Sequence, residues 1–213
     1  MQLFFHDVGL KGAERDFPKT VFGDVSLEII DHAAPPHLRA EMVDTLSALF
    51  PSGSFHCWGG PAGAESAIKH LNVWDVMLLI RTTGGDGDMP AMCPVQAFWR
   101  EPMPGLSTAL WGSDRFPYVF FCRTEPIRLT WKAFKQDVGY EPNFRPSGNV
   151  YRVRKDRLRK HGGAEGYIVS LTDGKVQYPT GGESARVAEV TPELEFEEGQ
   201  RLVRERRYFK RNA

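Results

Sequence analysis

The sequence predicts an α+β fold, a small closed or nearly closed mixed β-barrel flanked by helices. Three features carry that reading. Short apolar runs recur between glycine and proline turns, the turn spacing never repeats, and segments with apolar residues at helical intervals interrupt the runs. No internal repeat or low-complexity tract competes with it.

Leu3-Phe4-Phe5 reads as the opening strand, followed by a polar loop to Arg15 and an extended piece around Thr20 to Ile30. His37 to Phe50 follows Pro35-Pro36 and places Leu38, Met42, Leu46 and Leu49 on one stripe, the pattern of a helix with a proline start. Pro51-Ser52-Gly53 ends it. Phe55 to Trp58 is a strand entering a glycine corner, Gly59-Gly60-Pro61, after which Ala64, Ile68 and Leu71 resume helical spacing from Ala62. The free N–H groups of that first helical turn would suit an anion beside Trp58. Val76 to Arg81, Val95 to Trp99, Tyr118 to Arg123 and Ile127 to Leu129 are further strands, and Trp131 to Val138 is a short helix. Gly166 to Leu171 reads as a last strand. Residues 1–175 form one domain, 176–199 a polar linker, and 200–213 a basic helix.

The chain of 213 residues is 41% hydrophobic and can bury a core, while 27 basic and 27 acidic residues cancel. Net charge therefore gives no argument for nucleic acid, and the distribution must supply it. Six of the nine residues from Arg152 to Lys160 are basic: Arg152, Arg154, Lys155, Arg157, Arg159 and Lys160. A second cluster, Arg201 to Arg211, lies beyond an acidic stretch. Three cysteines without C-x-x-C spacing argue against a disulfide framework, and no signal peptide or apolar run of membrane-spanning length is present, so a cytoplasmic protein is expected.

Catalytic and metal constellations are missing from the pattern. His56 and Cys57 are adjacent on a strand and point to opposite faces, which separates a base from its nucleophile. The six histidines show no paired metal-ligand spacing, and Asp86 and Asp88 lack the twelve-residue calcium loop. Neither a P-loop nor a G-x-G-x-x-G is found. No cofactor is expected, and a binding module fits better than an enzyme.

Three runs resemble a known family. The strand-Trp-turn-helix of Phe55 to Ser66, the Leu71 to Leu79 strand, and Leu110-Trp111-Gly112 through Arg115-Phe116-Pro117-Tyr118 resemble the EVE branch of the PUA superfamily, related to the YTH and ASCH domains. The resemblance covers residues 1–175 in order of elements. It departs from the family at Trp74, where a glycine usually precedes the aspartate, and in the longer segment from 15 to 52. Arg206 to Ala213 resembles the helix leading into the HNH module of modification-dependent restriction endonucleases. The resemblance implies a reader that flips a modified base out of double-stranded DNA, modified cytosine such as 5-methylcytosine before N6-methyladenine, with the nuclease in cis and a homodimer formed through that nuclease. An RNA reader of the YTH kind and an enzyme with a small-molecule pocket in the barrel mouth are the alternatives.

Holding one base requires stacking faces, groups for its Watson–Crick edge, and cations for the flanking phosphates. Trp58 and Trp111, each followed by glycine, are the candidate facing rings, with Phe5, Phe98 and Tyr118 in reserve. Asp7, Ser66 and Asp114 are the candidate edge groups, because such oxygens accept from an exocyclic amine. The basic run from Arg152 to Lys160 is the candidate backbone contact.

Overall fold

The computed structural model describes residues 1–172, so the linker and the basic helix expected beyond them lie outside the described residues. Among the described residues there are eight strands: β1 Leu3–Asp7, β2 Val25–Ser26, β3 Ser54–Gly60, β4 Val76–Ile80, β5 Met89–Phe98, β6 Tyr118–Cys122, β7 Glu125–Leu129 and β8 Val150–Arg152. They form one mixed sheet in the order β2-β3-β6-β5-β4-β1-β8, with β7 paired to β5 off this path. Only β1 and β4 run parallel, in the register Leu3 with Val76 through Asp7 with Ile80. β4 is apolar throughout and β1 from Leu3 to Phe5, because both of their faces are covered. Leu3, Phe5, Val76, Leu78 and Ile80 enter one core, and Phe4, Met77 and Leu79 enter the other.

β5 joins the two arms of the sheet. Its first half pairs with β4 and β7, its second with β6, and the register breaks between Val95 and Ala97. Such an irregularity bends a strand and strengthens its twist. The sheet therefore curls. It does not close, contrary to the closed barrel expected from the sequence: the path ends at β2 and β8, strands of two and three residues that are too short to carry a closing ladder. Side chains span the gap instead.

The helices are α1 Leu10–Asp16, α2 Glu28–Ala33, α3 Pro36–Leu49, α4 Glu65–Ile68, α5 Pro104–Trp111, α6 Trp131–Val138 and α7 Gly163–Leu171. α3 buries Met42, Leu46 and Leu49, three of the four residues of its expected stripe. α6 starts on Thr130, whose hydroxyl accepts from the Ala133 N–H, and ends on Gly139 in the left-handed region. Three sequence expectations are corrected. The polar loop before Arg15 is α1; the extended piece from Thr20 to Ile30 is a π-turn at Phe17–Val21, the brief β2 and the start of α2; and Gly166 to Leu171 belongs to α7. In α7, buried Tyr167 and Ile168 pack on the β1–β4 face, so tertiary burial overrides the strand preference of a β-branched run.

Trp74 has φ of 74°, a left-handed conformation that costs a residue with a side chain about 1–2 kcal/mol. Its N–H donates to the Val95 carbonyl at 2.7 Å, and the Val95 N–H donates to the Asp75 carbonyl, so the tight turn into β4 is retained without the expected glycine.

Candidate nucleic-acid interface

β3 delivers Trp58 into the space enclosed by the curled sheet, where the side chain is 0% exposed. Its indole Nε1–H donates to Nδ1 of His6 on β1 at 2.9 Å, across the open side of the sheet. An indole nitrogen only donates, so His6 Nδ1 carries no proton and the imidazole is neutral. Burial lowers the His6 pKa to about 4, with a hydrogen bond to the Gly148 backbone opposing it.

Three more rings surround this pair. Phe17 meets Trp58 edge-on at 5.4 Å, Trp111 meets it at 5.6 Å and 65°, and Phe116 lies over it at 5.4 Å with a tilt of 41°. Trp111, the last residue of α5, is 4% exposed and donates its Nε1–H to the Thr20 hydroxyl at 3.1 Å. The two tryptophans therefore meet edge to face, with no slot between them in this arrangement. Phe116 is the partly exposed ring of the cluster, and the Arg115 guanidinium sits 5.1 Å from its centroid. Buried Ser107 holds the loop that carries Phe116, accepting from the Phe116 N–H at 3.1 Å and donating to the Ser113 carbonyl at 2.7 Å.

Gly59 makes the cluster possible. A Cβ there would fall 2.6 Å from the Phe116 carbonyl oxygen and 3.1 Å from Cη2 of Trp111. Gly59→Ala is expected to cost about 1–3 kcal/mol, since the crowding atom is backbone. Gly63, whose added Cβ meets nothing within 4 Å, is the control, and urea denaturation of both variants checks the difference.

The other sequence candidates divide. Asp7 ends β1 beside His6, half-buried, and desolvation raises its carboxyl pKa while the Gly9 backbone opposes the shift. Tyr118, nearly buried, pairs with Gly60 at the mouth, and burial together with the Glu65 charge raises its phenol. Phe98 packs on the same core from the end of β5. Ser66 on α4 and Asp114 after α5 are exposed. Phe5 lies apart: it faces the opposite core, stacked on Tyr151 at 5.1 Å and 10° and edge-on to Phe134. The segment after the glycine corner is one 3-10 turn at Ala62–Ala64 and the four-residue α4, too short to form an anion site at its start.

Within the basic run, Arg157 is occupied internally, its guanidinium 4.4 Å from the Tyr140 ring and bonded to the Gly139 carbonyl. Arg154 chelates Asp156 at 2.7 and 3.0 Å. Arg152, Lys155, Arg159 and Lys160 are exposed. Cys57, Cys93 and Cys122 are buried and free, and His56 accepts from the Thr124 N–H rather than facing Cys57. Among the described residues no group of three or more His, Cys, Asp or Glu is arranged to hold a metal ion. Nor is any described helix long and apolar enough to cross a membrane.

His6, Phe17, Thr20, Ser107 and Phe116 were not legible as site residues. Phe116 lies inside a run that the sequence singles out, but no spacing marks it as the ring that reaches solvent.

No family model matches the chain, and no curated protein matches it. A solved structure does: the N-terminal domain of Thermococcus gammatolerans McrB bound to m5C DNA, with a TM-score of 0.59 and 15% sequence identity over 81% of this chain and 98% of that chain. At that identity the likeness is one of fold, and it extends over nearly the whole of that domain.

Proposed function

We propose that this domain is a DNA-binding module that extrudes a modified base, modified cytosine foremost, from double-stranded DNA and holds it against Trp58. It would serve as the specificity part of a modification-dependent endonuclease of the HNH kind. The supporting observation is the likeness in fold to a domain bound to methylated DNA, together with a five-ring cluster on the same curled sheet. Phe116 occupies the place over Trp58 that a stacked base would take, so binding begins with displacement of the Phe116 loop. Stacking supplies about 1–3 kcal/mol per base, against the few kcal/mol that unpairing costs. Trp58 alone would barely balance that cost, so an acceptor for the cytosine amine has to supply the rest.

The test is the affinity of the full chain for matched duplexes carrying one 5-methylcytosine, one 5-hydroxymethylcytosine, one N6-methyladenine or none, at one salt concentration. Preference for a modified cytosine by about ten-fold or more, some 1.4 kcal/mol, is expected. Equal affinities would overturn the proposal. Neutralising Lys155 and Arg159, which are exposed, should weaken modified and unmodified duplexes alike and flatten the dependence of log affinity on log salt by about two units.

A further inference from the structure

Phe22 is 45% exposed, an unusual position for so large an apolar ring, and the fold presents it rigidly. It closes the π-turn Phe17–Val21, its N–H donating to the Phe17 carbonyl at 2.9 Å. π-turns are rare and concentrate at functional sites. Gly23 behind it is packed so tightly that a Cβ would lie 2.2 Å from the Pro18 carbonyl oxygen, which fixes the chain on both sides of the ring. The ring is also joined to the candidate base site. Phe22 meets Phe17 edge-on at 6.0 Å, Phe17 meets Trp58 at 5.4 Å, and Thr20 of the same turn receives the Trp111 indole N–H. Along the segment that leads to it, Lys11, Arg15 and Lys19 recur every four residues, all exposed, with Arg15 and Lys19 leaning on the buried Asp16 at 2.5 and 3.6 Å.

We infer that Phe22 is a wedge that enters the DNA stack at the gap left by the extruded base, while the Lys11-Arg15-Lys19 row follows the neighbouring phosphates. This rests on the base-holding reading above. A duplex that loses a base from its stack exposes the apolar faces of the flanking pairs, and an inserted apolar side chain covers them. Phe22 stands two ring contacts from Trp58, so one rigid unit would fill the gap and hold the base.

The experiment compares the full chain with Phe22→Ala and Phe22→Leu on two probes that carry one 5-methylcytosine, a paired duplex and a single strand. Unmodified versions of both probes serve as references. Phe22→Ala is expected to keep the wild-type thermal midpoint, to lose about ten-fold in affinity for the paired modified duplex, and to bind the modified single strand as wild type does, because a single strand leaves no gap to fill. Phe22→Leu should restore most of the duplex affinity. Unchanged duplex binding by Phe22→Ala, in a wild type that distinguishes modified from unmodified probes, overturns the wedge alone. Equal losses on duplex and single strand also overturn it, since the ring would then line the base site. A wild type that distinguishes neither pair of probes shows that the base-holding reading itself has failed.

Discussion

Trp58→Ala is expected to lower stability by about 3–5 kcal/mol, the range for removing a large buried aromatic side chain. The ring is fully buried, packed by Phe17, Trp111 and Phe116, and hydrogen-bonded to His6, so truncation leaves both a void and an unpaired imidazole nitrogen. Against a total of about 5–15 kcal/mol, such a loss lowers the thermal midpoint by roughly 10–20 °C or prevents folding. Loss of DNA binding by this variant would therefore say little about stacking. Trp58→Phe retains a ring and removes the N–H, and is expected to lose about 1–3 kcal/mol from the orphaned acceptor on His6. Calorimetry on both variants checks the order. A Trp58→Ala protein melting within a few degrees of wild type would contradict the packing.

The second large effect is a loss of stability in acid. His6 is neutral in the folded protein with a pKa of about 4, against 6.5 in the unfolded chain. Above pH 6.5 both states hold the neutral ring and the site costs nothing. Below it the unfolded chain takes up a proton that the folded protein refuses, so stability falls as pH drops from 6.5 and levels off below 4. The gap corresponds to about 3 kcal/mol. His6→Gln keeps an acceptor for the Trp58 indole without the titration. Comparing urea denaturation at pH 7 and pH 4.5, wild type should lose about 2–3 kcal/mol more than His6→Gln, a difference in which the carboxylates common to both proteins cancel. Equal losses would show that His6 does not face Trp58 as a buried neutral base.

Strong local patterns carried the legible part of the fold. The stripe of α3, the apolar β4 and the capped α6 appear where spacing and turn residues place them, because each is decided by its own segment. Closure of the sheet is decided elsewhere. Whether the ends of a curled sheet meet depends on the length of β2 and β8, and two- and three-residue strands leave almost no periodic signal. α7 is hidden in the sequence because Tyr-Ile-Val favours a strand until a neighbouring core claims one face of a helix. The candidate site was half legible. Trp58 and Trp111 stand out as Trp-Gly pairs and do meet, but their angle is set by Phe116 in the loop after Trp111 and by Phe17 and Thr20, which arrive from a distant segment. The basic run was visible as charge, whereas the internal use of Arg157 depends on the position of Tyr140, seventeen residues away in sequence.

The central claim is that a modified base is held at the Trp58 cluster, and the indole N–H resonances of the five tryptophans report on it directly. Proton–nitrogen correlation spectra of the labelled full chain, with the Trp58 and Trp111 signals assigned from their Phe variants, would be recorded with a duplex carrying one 5-methylcytosine and with its unmodified match. The account expects the Trp58 and Trp111 resonances to shift with the modified duplex and to stay in place with the unmodified one. Identical spectra with both duplexes, or shifts confined to Trp131 on the opposite face of the sheet, would contradict it.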